Sequence, residues 1–192
     1  MKRLFIAVDL DGRTRAAVAQ IAATLRERTP FAAPAGTIRL RVTWVPADRL
    51  HLTVEFLGEV ESDVEQRTTA VLGEPIPIAP FDLSFDGLGM FPESGPPRVL
   101  WLGIGGGLAD LKRLHVSLRE RLSLAADSRD GFNPHLTLAR FRDRARRSDL
   151  REIAGVKAFA GPCRIDRVTL YESRLSPSGP AYTALAKAYL RR

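Results

Sequence analysis

Apolar positions follow two different periods along the chain, and together they predict an α+β protein. Apolar residues at three- and four-residue spacing predict helices at about residues 13–28, from residue 62 onward, at 108–124 and, shorter, near 149–154. The second of these begins with Ser62 and Glu65 at the spacing of a capping box. Alternating apolar residues predict strands at residues 3–9, 37–44, 50–57, 81–85, 98–104, 134–141, 164–171 and 182–190.

The order of these elements repeats. Residues 1–92 and residues 93–192 are each predicted to follow the order strand, helix, strand, helix and strand, with the histidine strand in the middle. The 192 residues suit a single domain. We therefore predict one bilobal domain in which a pseudo-twofold axis relates the lobes. Each lobe is expected to have a small, largely antiparallel sheet, with helices outside and a groove between the lobes.

A four-residue pattern occurs once in each half, inside a predicted strand. It reads His51-Leu52-Thr53-Val54 and, 84 residues later, His135-Leu136-Thr137-Leu138. Residues i and i+2 of a strand share a face, so each histidine lies beside its threonine while the apolar residues face the core. Only three histidines occur in the chain, and this pattern contains two of them.

The paired motifs suit acid and base catalysis at phosphorus. In an in-line displacement the entering and leaving oxygens lie on opposite sides of the phosphorus, so a base and an acid must approach from opposite directions. Two facing lobes with one imidazole each meet that requirement, because histidine titrates near neutral pH. The threonine hydroxyls can donate to the non-bridging oxygens. A strained cyclic ester needs no metal in this scheme.

Composition limits the class of protein to which this chain can belong. The chain has 29 basic and 22 acidic residues, a net charge of +7 and only four lysines. Arginine pairs well with phosphate, so this bias suits an anionic substrate, although genome composition explains it equally well. Cys163 is the single cysteine, which excludes an intrachain disulfide framework and leaves no metal-ligand cluster. Short apolar runs and an early Asp9 predict a cytoplasmic protein without a membrane segment.

The motif pair and its spacing resemble the two-histidine phosphoesterase superfamily. Within it, four segments resemble the RNA 2',3'-cyclic phosphodiesterase family, first named for 2'-5' RNA ligase activity: residues 3–10, 44–58, 134–140 and 170–173. The resemblance covers nearly the whole chain. It implies metal-independent hydrolysis of an RNA 2',3'-cyclic phosphate, or of a small cyclic nucleotide, to a 2'-phosphomonoester without any cofactor. We expect a monomer.

The resemblance also implies roles for six residues. His51 would be the proton donor and His135 the proton acceptor, an orientation that the sequence alone does not determine. Thr53 and Thr137 would bind the phosphate. Arg140 would help to hold the phosphate, although strand alternation places it on the opposite face, so its role requires a β-bulge or the end of the strand. Phe5 would stack on a base if it faces the cleft, and is otherwise a core residue.

Several alternatives stay open. The enzyme could instead catalyse reversible 2'-5' RNA ligation, or act on another cyclic or 2'-5'-linked nucleotide. A protein of another class, an RNA-binding module, would use the histidines only to contact phosphate. Five arginines in and after the second histidine strand either contact an RNA backbone or lie in a solvated hairpin: Arg140, Arg142, Arg144, Arg146 and Arg147. His115 lies on an apolar helix face and is predicted to be structural, and Cys163 has no sequence context of a nucleophile.

Overall fold

The computed structural model describes residues 1–28, 41–124, 131–146, 150, 153, 156–176 and 179–191. Within them the chain forms nine strands and three α-helices. In chain order these are β1 (Lys2–Asp9), α1 (Gly12–Arg28), β2 (Val42–Trp44), β3 (His51–Val60), α2 (Ser62–Val71), β4 (Phe81–Phe91), β5 (Val99–Gly106), α3 (Leu108–Arg121), β6 (Leu136–Phe141), β7 (Phe159–Ile165), β8 (Arg167–Ser176) and β9 (Gly179–Tyr189).

The strands form one curved, antiparallel sheet in the order β7-β4-β5-β6-β3-β1-β8-β9, with β2 paired to β6. The predicted α+β class is therefore confirmed. The two histidine strands meet at the centre, where Leu52 lies opposite Leu136. Because that pairing is antiparallel, its register places His51 across from Thr137 and Thr53 across from His135. The two motifs are thus related by a local twofold axis.

The sheet has two groups of four strands on either side of this junction. We call β3, β1, β8 and β9 the His51 lobe, and β6, β5, β4 and β7 the His135 lobe. These lobes do not coincide with the two halves of the sequence. Strand β4 precedes residue 93 yet belongs to the His135 lobe, because it forms a long hairpin with β5. Strands β8 and β9 follow residue 93 yet join β1.

One predicted strand is wrong. Residues 164–171 form the end of β7 and the start of β8, separated at Asp166. Ile165 pairs with Phe81 in the His135 lobe, whereas Arg167 pairs with Tyr189 in the His51 lobe. The chain crosses between the lobes at this point, and a continuous apolar pattern does not reveal such a crossing.

Two helices bridge the lobes reciprocally. Helix α1 follows β1 of the His51 lobe and packs against β7 of the His135 lobe, while α3 follows β5 and packs against β3. Asp11 caps α1 by accepting the Thr14 N–H at 2.7 Å. The apolar face of α1 buries Val18 and Leu25, and that of α3 buries Leu111, Leu114 and Leu118. Each buried leucine contributes about 1.5 to 3 kcal/mol, so the helices hold the lobes together.

The remaining helix begins at Ser62 as predicted, but the capping box is wrong. The N-cap residue is Glu61, which makes no side-chain capping bond. The Glu65 carboxylate accepts from Lys2 Nζ at 2.6 Å instead, because β1 lies within its reach. Most of the helix predicted near 149–154, and residues 37–40 of a predicted strand, lie outside the described residues. No described helix is both long and apolar enough to cross a membrane.

Candidate active site

The two motifs line one cavity of about 480 Å³ at the junction of the lobes. Five of the six predicted site residues lie on its wall: His51, Thr53, His135, Thr137 and Arg140. The apolar partners in the motifs, Leu52 and Leu136 among them, are buried in the core below. The structure therefore brings together residues that are 84 positions apart in the sequence, on two adjacent strands.

Both imidazoles make the same type of hydrogen bond, from Nδ1 to a backbone carbonyl oxygen two residues earlier. His51 Nδ1 lies 2.8 Å from the carbonyl oxygen of Arg49, and His135 Nδ1 lies 2.9 Å from that of Asn133. A carbonyl oxygen can only accept, so each Nδ1 carries its hydrogen. The neutral ring then has its lone pair on Nε2, and the protonated ring donates from Nε2. Each histidine is thus oriented to exchange one proton with a bound ligand through Nε2.

A β-bulge follows each motif and brings the fifth residue after the histidine into the groove. In β6 the register moves from Thr137 opposite Trp101 to Ala139 opposite Leu100, which leaves Leu138 as the extra residue. Leu138 and Ala139 are both buried, and Arg140 emerges on the groove side. The bulge that the role of Arg140 requires is therefore present.

The equivalent bulge in β3 has the same pattern of burial. There the register moves from Thr53 opposite Ala7 to Glu55 opposite Ile6, which leaves Val54 as the extra residue. Val54 and Glu55 are both buried, and Phe56 lines the cavity. The position that holds arginine after one motif therefore holds an aromatic ring after the other.

Phe5 lies behind His51 and is not on the cavity wall. Its ring centroid is 4.9 Å from that of His51, 5.4 Å from Tyr171 and 5.2 Å from Tyr182. Only 4% of Phe5 is exposed, so it has little free surface for a base to stack on. Of the aromatic rings packed around His51, Tyr182 is the one that lines the cavity, with its centroid 5.1 Å from His51. No sequence pattern marks Tyr182 as a site residue, because only the pairing of β9 with β8 places it there.

Burial and neighbouring groups shift the pKa of His51, some downward and some upward. Burial lowers the pKa of His51; the Arg49 carbonyl and the Asp9 carboxylate raise it, and Arg140 lowers it further, with a net lowering. The Asp9 carboxylate accepts from Tyr171 Oη at 2.7 Å and from Thr169 Oγ1 at 2.8 Å. Burial and Asp9 raise the pKa of Tyr171 to about 12. Tyr171 therefore stays a neutral donor that holds Asp9 beside the histidine.

His115, the third histidine, also lines the cavity, but its contacts agree with the predicted structural role. Its Nδ1 lies 2.9 Å from the Val54 carbonyl oxygen and 3.4 Å from Glu55 Oε2. Its ring stacks on Phe132 with the centroids 4.1 Å apart. The Glu55 carboxylate accepts two hydrogen bonds from Arg119 at 2.9 Å. These contacts anchor α3 to β3.

Neither a reactive thiol nor a metal centre is evident in the described part of the chain. Cys163 is fully buried, and burial raises the pKa of its thiol, so the reactive thiolate is disfavoured. Among the described residues, no three histidine, cysteine, aspartate or glutamate side chains are close enough together to hold a metal ion. The cavity instead offers imidazoles, hydroxyls and guanidinium groups.

Comparison with known proteins agrees with this geometry. The family model of the 2'-5' RNA ligase superfamily matches residues 20–176. The RNA 2',3'-cyclic phosphodiesterase of Archaeoglobus fulgidus is 35% identical over 185 residues, which covers 95% of this chain and 97% of that protein. The corresponding Methanothermobacter thermautotrophicus protein is 33% identical over 187 residues, covering 94% and 95% of the two chains.

Solved structures show the same fold. TT0787 of Thermus thermophilus superposes with a TM-score of 0.77 at 30% identity, covering 98% of both chains. LigT of E. coli in its apo form superposes with a TM-score of 0.74 at 29% identity, covering 100% of this chain and 98% of that one. Fold, paired motifs and sequence identity therefore agree, and the chain belongs to the 2'-5' RNA ligase superfamily of two-histidine phosphoesterases.

Proposed function

We propose that this protein hydrolyses RNA 2',3'-cyclic phosphate ends to 2'-phosphomonoesters by acid and base catalysis between two histidines, without a metal. The observation that carries the proposal is the matched pair of imidazoles in one cavity, each held through Nδ1 so that Nε2 is the atom that exchanges a proton. The relatives named RNA 2',3'-cyclic phosphodiesterase support the substrate class.

His51 is the proton donor to the departing 3'-oxygen, and His135 is the acceptor that activates water. The surroundings of the two rings support this orientation. Asp9 on β1 pairs in register with His51, and its carboxylate favours the protonated imidazole. On β5, where Leu102 lies opposite Leu136, the next residue and thus the equivalent of Asp9 is Gly103, which has no carboxylate. At this position, therefore, only the His51 motif has a carboxylate partner.

Three of the other predicted site residues bind the phosphate: Thr53, Thr137 and Arg140. Thr53 and Thr137 lie across from the histidine of the opposite motif, so both hydroxyls can donate to the non-bridging oxygens. Arg140 adds a charge-assisted hydrogen bond from the same wall. Phe5 acts on the substrate through His51, whose ring it packs against. A cytoplasmic location and a monomeric state stay predictions.

The test is incubation of an oligonucleotide ending in 2',3'-cyclic phosphate with the enzyme in excess EDTA. We expect complete conversion to the 2'-phosphate, because the cavity stabilises charge with hydroxyl and guanidinium donors. The product terminus is identified by chromatography against authentic 2'-phosphate and 3'-phosphate standards, because the two isomers have the same mass. A 3'-phosphate product, or activity restored only by one divalent ion, would contradict the proposal.

The same assay separates the alternatives. An RNA-binding module would change the mobility of the RNA without changing its termini. A ligase would join the cyclic phosphate end to an added oligonucleotide with a 5'-hydroxyl, and would leave a 2'-5' linkage.

The pH dependence should reflect the lowered pKa of His51. The donor must be protonated, so activity falls as the pH rises through its pKa. Because that pKa is lowered in the free enzyme, the alkaline limb of kcat/KM should lie below pH ~6.5, the ordinary histidine value. A bound phosphate raises the pKa, so the alkaline limb of kcat should lie at higher pH. Steady-state kinetics across the pH range measure the alkaline limb of kcat/KM and that of kcat. Each limb reports the coupled titration of the two histidines. Rates that rise steadily into alkaline solution would remove His51 from the role of acid.

A further inference from the structure

The charged residues around the site do not follow its local twofold symmetry. Three positions around each motif can be compared, at two residues before the histidine and at five and seven residues after it. Because Leu52 lies opposite Leu136 in antiparallel strands, the position before one histidine lies toward the same end of the groove as the later positions of the other motif. Each end of the groove therefore combines residues from both motifs. The compared pairs are Arg49 and Asn133, Arg140 and Phe56, and Arg142 and Gly58.

All three arginines lie at the end of the groove next to His51, and all three line the cavity. Among the described residues, neither Arg49 nor Arg140 forms an ion pair with a carboxylate. Arg142 Nε donates to Thr43 Oγ1 at 2.9 Å, which orients the guanidinium without neutralising it. The acid nearest to it in the sequence, Asp143, pairs with Arg41 at 2.8 Å. This end therefore presents uncompensated positive charge.

The end next to His135 has fewer cationic side chains and includes carboxylates. Phe56 is half exposed, and the Arg3 guanidinium lies over its ring at 5.0 Å. An adjoining cavity of about 380 Å³ shares His135 and is lined by the carboxylates of Asp86 and Glu93 and by the ammonium group of Lys112. Two carboxylates beside one ammonium attract a phosphodiester backbone less than the three arginines at the His51 end do.

We propose that Arg49 and Arg142 bind the phosphodiester immediately 5' of the cyclic phosphate nucleotide, so that the RNA chain leaves the site over the His51 end of the groove. The inference rests on the proposed function and extends it from the reacting phosphate to the strand. The departing 3'-oxygen faces the proton donor, and it carries the ribose and the upstream chain to the same side. The arginines thus lie where the next phosphate arrives, and guanidinium groups bind phosphate through paired donors.

The test compares two substrates in the same variants. One is a mononucleoside 2',3'-cyclic phosphate, and the other is a trinucleotide with the same terminal base and cyclic phosphate. The measured quantity is the ratio of kcat/KM for the trinucleotide to that for the mononucleotide. In the double variant Arg49→Gln with Arg142→Gln we expect this ratio to fall at least about tenfold. Arg144→Gln removes the same charge from an exposed residue outside the cavity and should leave the ratio unchanged.

Binding gives a second readout that does not depend on turnover. Anisotropy of a labelled trinucleotide ending in 2'-phosphate, measured over a range of salt concentrations, should lose about 0.7 from the logarithmic salt slope for each phosphate contact removed. Circular dichroism confirms that the variants fold. An unchanged ratio together with an unchanged salt slope would overturn the proposal, as would an equal loss on both substrates. If the wild type cleaves neither substrate, the proposed function fails, while the salt slopes still decide whether the arginines bind the strand.

Discussion

His51→Ala and His135→Ala are each expected to lower kcat/KM on a 2',3'-cyclic phosphate by about 10²- to 10⁴-fold, the contribution of one general acid or base. Each change removes the Nε2 that the Nδ1 hydrogen bond leaves free for proton exchange, while the carbonyl that held the ring can bind water instead. Initial rates with each purified variant measure the loss. Near-wild-type turnover in either folded variant would refute the two-histidine mechanism.

The double variant distinguishes a proton-transfer pair from two independent contacts. The two histidines act in one cycle, so the loss in the double variant should be well below the product of the two single losses. His115→Gln is the matched control, because it changes an imidazole in the same cavity whose Nδ1 is engaged by the Val54 carbonyl. We expect it to change kcat/KM by less than tenfold. A loss equal to that of His51→Ala would instead place His115 in the mechanism.

Changing the leaving group should have the second large effect, because His51→Ala and His135→Ala should then lose different amounts of activity. A 4-nitrophenyl phosphodiester of a 3'-deoxynucleoside 2'-phosphate releases a phenolate, which departs without a proton. His51→Ala should therefore keep most of the wild-type rate on this ester, although it loses about 10²-fold or more on the cyclic phosphate. His135→Ala should lose activity on both substrates, because water must still be deprotonated. Release of 4-nitrophenolate is followed by absorbance.

The pattern of losses assigns the roles of the two histidines. If His135→Ala is the variant that recovers on the aryl ester, the donor and the acceptor are exchanged, and the carboxylate of Asp9 does not select the acid. If both variants lose equal activity on both esters, neither histidine is a general acid. The wild-type ratio of rates on the two esters is the reference for each comparison.

The amino-acid sequence by itself was sufficient to predict the α+β class and the two catalytic candidates. Strand alternation placed His51 beside Thr53 and His135 beside Thr137, and burial of Leu52 and Leu136 confirms the two faces. These features are local, because side-chain direction in a strand depends only on the backbone of its neighbours. Helix α1 could be predicted to within one residue for the same reason, since its apolar stripe and the Asp11 cap lie within the segment.

Only the tertiary structure decided which residues share the groove with the motifs. Arg140 and Phe56 face it because register shifts against neighbouring strands create bulges, and those strands are distant in the sequence. Tyr182 reaches His51 through the pairing of β9 with β8, and Asp166 marks a crossing between lobes within an unbroken apolar pattern. Partner strands and their register are set by the packing of the whole sheet, and no local period records them. The motifs therefore predicted the chemistry, and the sheet determined the charge and shape of the groove around it.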